Sequence, residues 1–427
     1  MLDRRFVTEN IDLVTTNCRQ RGSTADVEKF AELDKLRRNL QADIDQLKQK
    51  SGQISKSIGK SANEREREAK KAEGRRLREE VAAIESRLSE IISESDTILQ
   101  QIPNLTHPSA PIGTEEDAVE IRRGSTPLPD FGFKPKDHVD LGNQLRLFDF
   151  EAGGRVAGHG FYFLINDAVL LELALQQYAV DLMLQEGFTV MTTPDLARDV
   201  ILEGTGFIPR GPETQIYSIS GSDLSLVATA EITLGGAFHE RIFDADELPI
   251  MLCGISHCFR TEAGAHGRAT RGLYRVHQFT KVEMFAFTPP EQSETMHEKL
   301  LNLECSLFDR LEIPYRVIDT ASGDLGGPAF RKYDLEAWMP GRGDKGEWGE
   351  VTSTSNCTDY QSRRLGIRYK TKGKKGTNFV HTLNGTAIAV SRAIIALLEN
   401  HQQSDGSIKI PQPLQRWMGK DQILPPG

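Results

Sequence analysis

Hydrophobic residues in the first hundred positions recur at alternating steps of three and four. One stripe, extended backwards by Leu33 and Leu36, contains Leu40, Ile44, Leu47, Ser51, Ile54 and Ile58. A second contains Leu77, Val81, Ile84, Leu88, Ile91, Ser95, Ile98 and Ile102. This period is typical of helices that pair along one seam. Since turn residues fill positions 59–63, the pattern predicts an antiparallel coiled-coil hairpin.

The pattern changes after a Pro- and Gly-rich connection that runs from 103 to about 135. Residues 166–186 predict a helix that is apolar on more than one face, which suggests burial against both a core and a second subunit. Short strands are predicted at 188–193, 215–219, 224–228 and 350–353. Strands and helices alternate poorly, so a doubly wound parallel sheet is unexpected. We therefore expect an α+β chain with two domains, 1–105 and 106–427.

A second feature is a pair of apolar runs joined by a basic, Gly-rich loop at 263–275. Arg260 and Glu262 stand two apart at the first run, so a strand would place them on one face. The return run, 276–287, carries Lys281 and Glu283, and the loop carries Arg268, Arg271 and Arg275. Such an arrangement suits a nucleoside triphosphate held on an antiparallel sheet. The alternative is an ordinary hairpin with a solvated tip.

Residues 381–399 form the last informative segment. Asn384 and Gly385 predict a sharp turn, and a helix should follow with Ser391 and Arg392 about two turns in. A helix that begins at a site favours anions at its N-terminus, and Arg392 would add a guanidinium for phosphate. The alternative is a buried amphipathic helix with one surface arginine.

Charge is distributed unevenly along the chain. The net charge is -9, which gives no overall basic field for nucleic acid. The tip of the predicted hairpin nevertheless has eleven Lys or Arg against four Glu between Lys48 and Arg78. This segment is either a solvated coiled-coil surface or an electrostatic arm for an RNA backbone. The candidate RNA-binding residues are Lys56, Lys60, Arg65, Lys70, Lys71, Arg75 and Arg76.

The five cysteines are odd in number and scattered, with no CxxC pair. We therefore expect neither a disulfide framework nor zinc, and a cytoplasmic location. The N-terminus has no signal-peptide core, and the longest apolar run, 161–180, is interrupted by Asn166, Asp167 and Glu172. No membrane association is expected.

Several of these segments resemble the motifs of class II aminoacyl-tRNA synthetases. FRTEAG followed by RVHQFTKVE is similar to their motif 2, NGTAIAVSR to motif 3, and residues 166–194 to the dimer-forming motif 1. TAE at 229–231, EVTSTSNCTDYQSRR at 350–364 and the tail DGSIKIPQPLQRWMG are similar to the bacterial seryl-tRNA synthetase family in particular. The resemblance covers essentially the whole chain. It implies a catalytic domain built on an antiparallel sheet flanked by helices, preceded by a coiled-coil tRNA-binding arm.

The resemblance also implies an activity and its residues. Serine and ATP with Mg²⁺ would give seryl-adenylate, and the seryl group would pass to tRNA(Ser) and, where it exists, tRNA(Sec). Arg260 would bind the α-phosphate and the serine carboxylate, and Arg392 the γ-phosphate. Glu350 would hold Mg²⁺ and ATP. The remaining ATP-binding positions would be Thr261, Glu262, Val276, Val351, Thr352 and Ser353, and the serine-binding positions would be Thr229, Ala230, Glu231, Glu283 and Thr386.

In-line attack on a phosphorus atom needs charge neutralisation and alignment more than an acid or a base, so the arginines and Mg²⁺ would act as the catalytic groups. We expect a homodimeric enzyme. Two alternatives of other classes are a catalytically silent paralogue that binds RNA in a regulatory role and a ligase repurposed to aminoacylate a carrier protein.

Overall fold

The computed structural model describes residues 1–208, 215–263 and 271–426. The chain divides into two compact units, Met1–Leu105 and Thr106–Gly427. Each unit is described by itself below.

The first unit is entirely helical within its described residues. Its helices are α1 (Arg4–Glu9), α2 (Ile11–Gln20), α3 (Val27–Ile58) and α4 (Glu64–Gln101). With 32 and 38 residues, α3 and α4 are roughly 48 and 57 Å long at ~1.5 Å per residue. Ion pairs Lys29–Glu94 and Lys48–Glu85 connect them in antiparallel order. The predicted hairpin is confirmed.

The seam between α3 and α4 is apolar, as the heptads predict. Its members are Leu40, Ile44, Val81 and Leu88, flanked by Leu36, Leu47, Ile84 and Ile91. The turn lies at 59–63, and Asn63 caps α4 by accepting a hydrogen bond of 2.9 Å from the Glu66 amide. The short side chain of Asn63 thus satisfies one of the helix's free N–H groups.

The second unit combines nine further helices with seventeen strands among its described residues. The helices are α5 (His138–Leu145), α6 (Phe150–Ala157), α7 (Asp167–Gln185), α8 (Asp199–Thr205), α9 (Ala230–Gly236), α10 (Ser293–Arg310), α11 (Tyr360–Leu365), α12 (Val390–Asn400) and α13 (Gln412–Met418). The strands are β1 (Val119–Arg123), β2 (Phe148–Asp149), β3 (Phe163–Leu164), β4 (Thr189–Thr192), β5 (Leu196–Arg198), β6 (Leu224–Leu226), β7 (Ile242–Asp244), β8 (Ile250–Phe259), β9 (Gln278–Thr288), β10 (Tyr315–Asp319), β11 (Arg331–Met339), β12 (Glu347–Thr358), β13 (Arg368–Lys370), β14 (Asn378–Phe379), β15 (His381–Ala389), β16 (Ile408–Lys409) and β17 (Gln422–Ile423).

Eight strands form the central sheet, in the order β1-β10-β11-β12-β15-β9-β8-β4. Every neighbouring pair is antiparallel except β4 and β8, which are parallel. The predicted α+β class is therefore confirmed, with one parallel edge strand.

The two faces of the sheet are covered by different helices. Along β9, Met284 and Ala286 belong to the larger core with α10 and α12, whereas Phe285 and Phe287 belong to a second cluster with α9. This alternation follows the two-residue period of a strand. Glu283, which has the same parity as Phe285 and Phe287, consequently faces the α9 side.

Most predicted strands appear with small shifts. Residues 188–193 contain β4, 224–228 contain β6, and 350–353 lie within β12. The prediction for 215–219 is wrong, because this segment makes only an isolated bridge between Ser218 and Ser225. Helix α7 matches the predicted helix to within one residue at each end.

The predicted turn at Asn384 and Gly385 is also wrong. Both residues lie inside β15, and α12 starts only at Val390, so Arg392 lies in its first turn. The glycine serves close packing, since a Cβ there would lie 2.9 Å from Glu304 Oε1 and 3.0 Å from Thr354 Oγ1. A glycine required for close approach has the same appearance in a sequence as a turn glycine.

None of the helices in the described part of the chain is both long and apolar enough to span a bilayer.

Candidate active site

Buried charged side chains gather on the α9 face of the sheet, where β9 and β15 pair. Thr386 on β15 lies directly opposite Glu283 on β9. Lys281, two residues earlier on β9, points to the same face. Lys281 is 6% exposed and Glu283 2% exposed. Charges buried to this degree require partners in the protein.

Glu283 has two such partners. Its Oε2 lies 2.6 Å from Lys281 Nζ and accepts a hydrogen bond of 3.3 Å from Thr386 Oγ1. Lys281 Nζ also donates to Thr386 Oγ1 at 3.4 Å. The three side chains form a closed triangle, so the Glu283 carboxylate is already paired with a cation.

Glu231 is the second buried carboxylate, and its partners are neutral. It lies at the start of α9, where Thr229 is the N-cap and accepts a hydrogen bond of 3.2 Å from the Glu231 amide. Its Oε1 accepts from Gln361 Nε2 at 2.6 Å and from Asn384 Nδ2 at 2.9 Å. Burial, together with the negative charge of Glu283, raises the pKa of Glu231 to about 7. This carboxyl is therefore poised to gain or lose a proton near neutral pH.

Arg260 follows the last residue of β8. Its backbone is fixed by His277, which accepts from the Arg260 amide at 3.0 Å and contacts the Arg260 carbonyl through Nδ1 at 2.8 Å. The guanidinium lies 5.2 Å from the centroid of the Phe279 ring. Its positive charge partly opposes the burial that raises the pKa of Glu231, and it contributes to the lowered pKa of Glu350, so it lies within electrostatic reach of both.

The expectation that Arg260 and Glu262 share a strand face is wrong. β8 ends at Phe259, and Glu262 has a φ of 50°, which turns the chain away from an extended path. Glu262 instead lies 3.4 Å from Arg275 Nη1. The Thr261 amide donates to the Gln215 carbonyl at 3.1 Å, and Val276 is buried.

The basic loop after Glu262 is only partly described. Arg268 lies outside the described residues. Arg271 forms ion pairs with Asp137 and, at 3.0 Å, with Asp140. Its charge is therefore neutralised by neighbouring residues.

A second charged cluster surrounds Arg392 in the first turn of α12. Arg392 Nη1 lies 3.1 Å from Glu350 Oε1 and donates to the Glu350 carbonyl at 3.0 Å. The Tyr274 ring centroid lies 4.7 Å from the Arg392 guanidinium and 4.6 Å from that of Arg342. Burial raises the pKa of Glu350, but the positive charges of Arg392, Lys332 and Arg260 outweigh it and lower the pKa overall. Glu350 is thus held ionised.

The segment after Glu350 is divided between the two sides of the sheet. The register of β12 with β11 shifts between Glu350 and Thr352. Val351 packs in the larger core, and Thr352 donates to Glu304 Oε2 at 2.9 Å. Any contact of these two residues with a nucleotide would therefore involve their backbone groups. Ser353 lies opposite Asp334 on β11.

Four residues of the site were not assigned by sequence reasoning. Glu283 is paired with Lys281, and Glu231 accepts hydrogen bonds from Gln361 and Asn384. The fourth residue, Phe279, lies against Arg260. The two-residue spacing of Lys281 and Glu283 was a usable signal. Gln361 and Asn384 gave none, because their role depends on a helix and a strand that meet only in the fold.

Comparison with known proteins identifies the family of the chain. The Seryl-tRNA synthetase N-terminal domain family matches residues 1–106, and the family of the tRNA synthetase class II core domain (G, H, P, S and T) matches residues 217–401. The serine–tRNA ligase of Rhodopirellula baltica is 58% identical over 99% of both chains, and that of Rubrobacter xylanophilus is 54% identical over 100% of this chain and 99% of its own.

Among solved structures, seryl-tRNA synthetase from Pyrococcus horikoshii, complexed with ATP, superposes with a TM-score of 0.92. It is 38% identical, and the match covers 100% of each chain. Identity at this level over full length, with both halves matched to their own families, shows common descent. The chain belongs to the seryl-tRNA synthetase family.

Proposed function

We propose that this chain is a serine–tRNA ligase, which forms seryl-adenylate from L-serine and ATP and then transfers the seryl group to tRNA(Ser). The observation that carries the proposal is the buried cluster of Glu231, Glu283 and Thr386, with Arg260 in electrostatic reach. Such a cluster suits a small amino acid that has an ammonium, a carboxylate and a hydroxyl.

The two carboxylates divide the contacts to serine. Glu283 already has a cation at 2.6 Å, so it can accept a neutral hydroxyl donor, with Thr386 beside it. Glu231 has only amide donors, so it is the partner for the α-ammonium, together with Thr229 and Ala230 at the start of α9. Alanine would leave buried polar groups unpaired, which is a strong basis for rejection.

Arg260 and Arg392 both provide positive charge near Glu350. In the proposed reaction a serine carboxylate oxygen attacks the α-phosphorus, the bond to the β-phosphate oxygen breaks, and pyrophosphate leaves. Arg260 would orient the serine carboxylate and stabilise charge on the α-phosphate, and Arg392 would bind the γ-phosphate. Glu262 and Val276 would contact the adenine, and Thr261, Val351, Thr352 and Ser353 would complete the ATP site.

Glu350 is the residue that fits Mg²⁺. Mg²⁺ is usually bound by one or two carboxylates together with substrate phosphates and water, so a single ionised carboxylate beside a phosphate site is sufficient. When bound, the ion would neutralise charge on the ATP phosphates. The described residues contain no cluster of three or more His, Cys, Asp or Glu side chains suited to a metal.

The tip of the α3–α4 hairpin would bind the tRNA backbone. Lys70 and Lys71 are paired with Glu66 at 2.7 Å and Glu68 at 2.6 Å. The other five candidates are exposed and make no ion pair with any described residue: Lys56, Lys60, Arg65, Arg75 and Arg76. These five are therefore the groups most available to phosphates, in tRNA(Ser) and also in tRNA(Sec) where that tRNA is a substrate.

We also propose a homodimer that acts in the cytoplasm. Helix α7 exposes three neighbouring apolar side chains, Val169 at 41%, Leu170 at 41% and Leu173 at 57%. An apolar patch on an otherwise buried helix is typical of a subunit contact. All five cysteines are buried and none forms a disulfide with another described residue, which is compatible with a reducing compartment.

The alternatives have less support. A silent paralogue would be expected to lose Arg260, Glu262, Glu350 or Arg392, and all four are present. A ligase for a carrier protein would be expected to lack the long arm, and here α3 and α4 are complete.

The first prediction tests the proposed chemistry. Arg260→Ala should lower serine-dependent ATP–pyrophosphate exchange by at least about 100-fold, because the variant lacks the cation that stabilises negative charge on the α-phosphate. Arg155→Ala is the control, since Arg155 lies on α6 and pairs with Glu151 at 3.8 Å. Exchange near the wild-type rate for Arg260→Ala would overturn the assignment of the α-phosphate.

The second prediction concerns pH. In the free protein Glu231 has a pKa of about 7, and it must be ionised to pair with the serine ammonium. Serine binding then releases a proton below pH 7, so the KM for serine should rise by up to about tenfold per pH unit as the pH falls. Measured from pH 8 to 5.5, Glu231→Gln should have a higher KM with a flatter profile. A wild-type KM that stays constant over this range would contradict the pairing.

The third prediction separates the two units. Arg75→Glu combined with Arg76→Glu should lower kcat/KM for tRNA charging by about 10- to 100-fold, with the loss decreasing at high salt, and should leave pyrophosphate exchange unchanged. The matched control reverses two exposed charges nearer the base of the hairpin, Lys35→Glu and Arg87→Glu. Equal losses in both double variants would refute a specific role for the tip.

The fourth prediction tests the dimer. Sedimentation should give twice the 47.6 kDa chain mass for the wild type. Leu173→Glu should shift it towards the monomer, because a charge would be buried in the subunit contact. Val156→Glu, at a side chain that is 74% exposed on α6, should not. A dimer that is unaffected by Leu173→Glu would place the interface elsewhere.

A further inference from the structure

Lys281 is a buried cation that the proposed chemistry does not use. It lies in the middle of the sheet on β9, is 6% exposed, and contacts Glu283 at 2.6 Å and Thr386 at 3.4 Å. Both contacts are the groups proposed to receive the serine hydroxyl. The ammonium therefore contacts both groups that would receive the side chain of the substrate.

Stability alone does not account for this lysine. A buried ion pair is often no more stable than apolar residues of similar volume, because both charges lose their hydration. The pair is instead placed where its charge acts on the substrate. Lys281 also lowers the pKa of Glu231, so its charge reaches the pocket for the α-ammonium as well.

We propose that Lys281 is a specificity-determining residue, which reserves Glu283 and Thr386 for a neutral hydroxyl and excludes amino acids of serine's size whose side chain is a cation. The inference rests on the proposed function, since it assumes that Glu283 and Thr386 receive the side chain of serine.

The physical reason is charge balance. Without Lys281, an ionised Glu283 would be an unpaired buried carboxylate and would attract a second ammonium on the substrate. With Lys281 in place, such an ammonium would meet a like charge in a buried pocket. Placing like charges together in such a setting is unfavourable, and we expect a discrimination of about 100-fold or more, which corresponds to ~2.8 kcal/mol.

The probe is L-2,3-diaminopropionate, which has an amino group in place of the serine hydroxyl. In amino-acid-dependent pyrophosphate exchange, wild-type protein should prefer serine by at least about 100-fold in kcat/KM. Lys281→Met and Lys281→Gln should shift this ratio towards diaminopropionate by about 100-fold. Lys281→Gln removes the charge but retains a hydrogen-bond donor. It therefore allows the same measurement if Lys281→Met does not fold.

Three control variants isolate the effect of the charge. Lys281→Arg keeps the cation and should still reject diaminopropionate. Lys299→Met removes a lysine that pairs with Glu186 at 3.4 Å and should leave the ratio unchanged. The double variant Lys281→Gln with Glu283→Gln should lose the gain, because the attracting carboxylate is absent.

Other results would overturn the inference. The inference would be wrong if the wild-type protein used diaminopropionate as efficiently as serine. A lower KM for serine in Lys281→Gln, with an unchanged ratio, would mean that Lys281 competes with the α-ammonium of the substrate. Absence of serine-dependent exchange in wild-type protein is a different failure, and it would refute the proposed function itself.

Discussion

The site depends on the placement of two carboxylates, Glu231 and Glu283, that are both buried in the protein. Neither can remain ionised there unless a partner compensates its charge. The protein solves this in two ways. Glu283 receives the ammonium of Lys281, whereas Glu231 receives only amide hydrogen bonds and keeps a pKa of about 7. Glu283, already paired with a cation, can accept a hydrogen bond from a hydroxyl. Glu231, which has no cation bound to it, can pair with the ammonium of the substrate.

The fold supplies these positions from elements far apart in sequence. β9 and β15 place Glu283 opposite Thr386, α9 contributes Glu231, and α11 contributes Gln361. Behind the sheet, Glu304 on α10 is fully buried. Burial raises its pKa well above the usual range, and it accepts from Thr352 while packing against Gly385. The absence of a side chain at Gly385 lets α10 approach β15 closely.

Sequence reasoning succeeded where a pattern is local. The heptads predicted α3 and α4 because coiled-coil packing repeats with a fixed period, and α7 was found from its continuous apolar run. It failed at Glu262 and at Gly385. Glu262 adopts a left-handed backbone just after a strand. Position 385 requires a glycine because Glu304, eighty-one positions earlier, lies against it. Neither cause is visible within a window of neighbouring residues.

The candidate site shows the same division. Arg260, Glu350 and Arg392 could be named from short segments that resemble a known family, and the structure gathers their charges around Glu350. The two-residue spacing places Lys281 on the same strand face as Glu283, but only the packing shows that both are buried and in contact. Asn384 precedes a glycine, a pair that predicts a turn, although it donates a hydrogen bond to Glu231 from the middle of β15.

The central claim is that this pocket selects serine. The most direct measurement is ATP–pyrophosphate exchange by the full-length protein with each of the twenty standard amino acids in turn. We predict exchange with serine, and rates at least about 100-fold lower with alanine and with threonine. Preferred exchange with any other amino acid would contradict the account of Glu231, Glu283 and Thr386 given above.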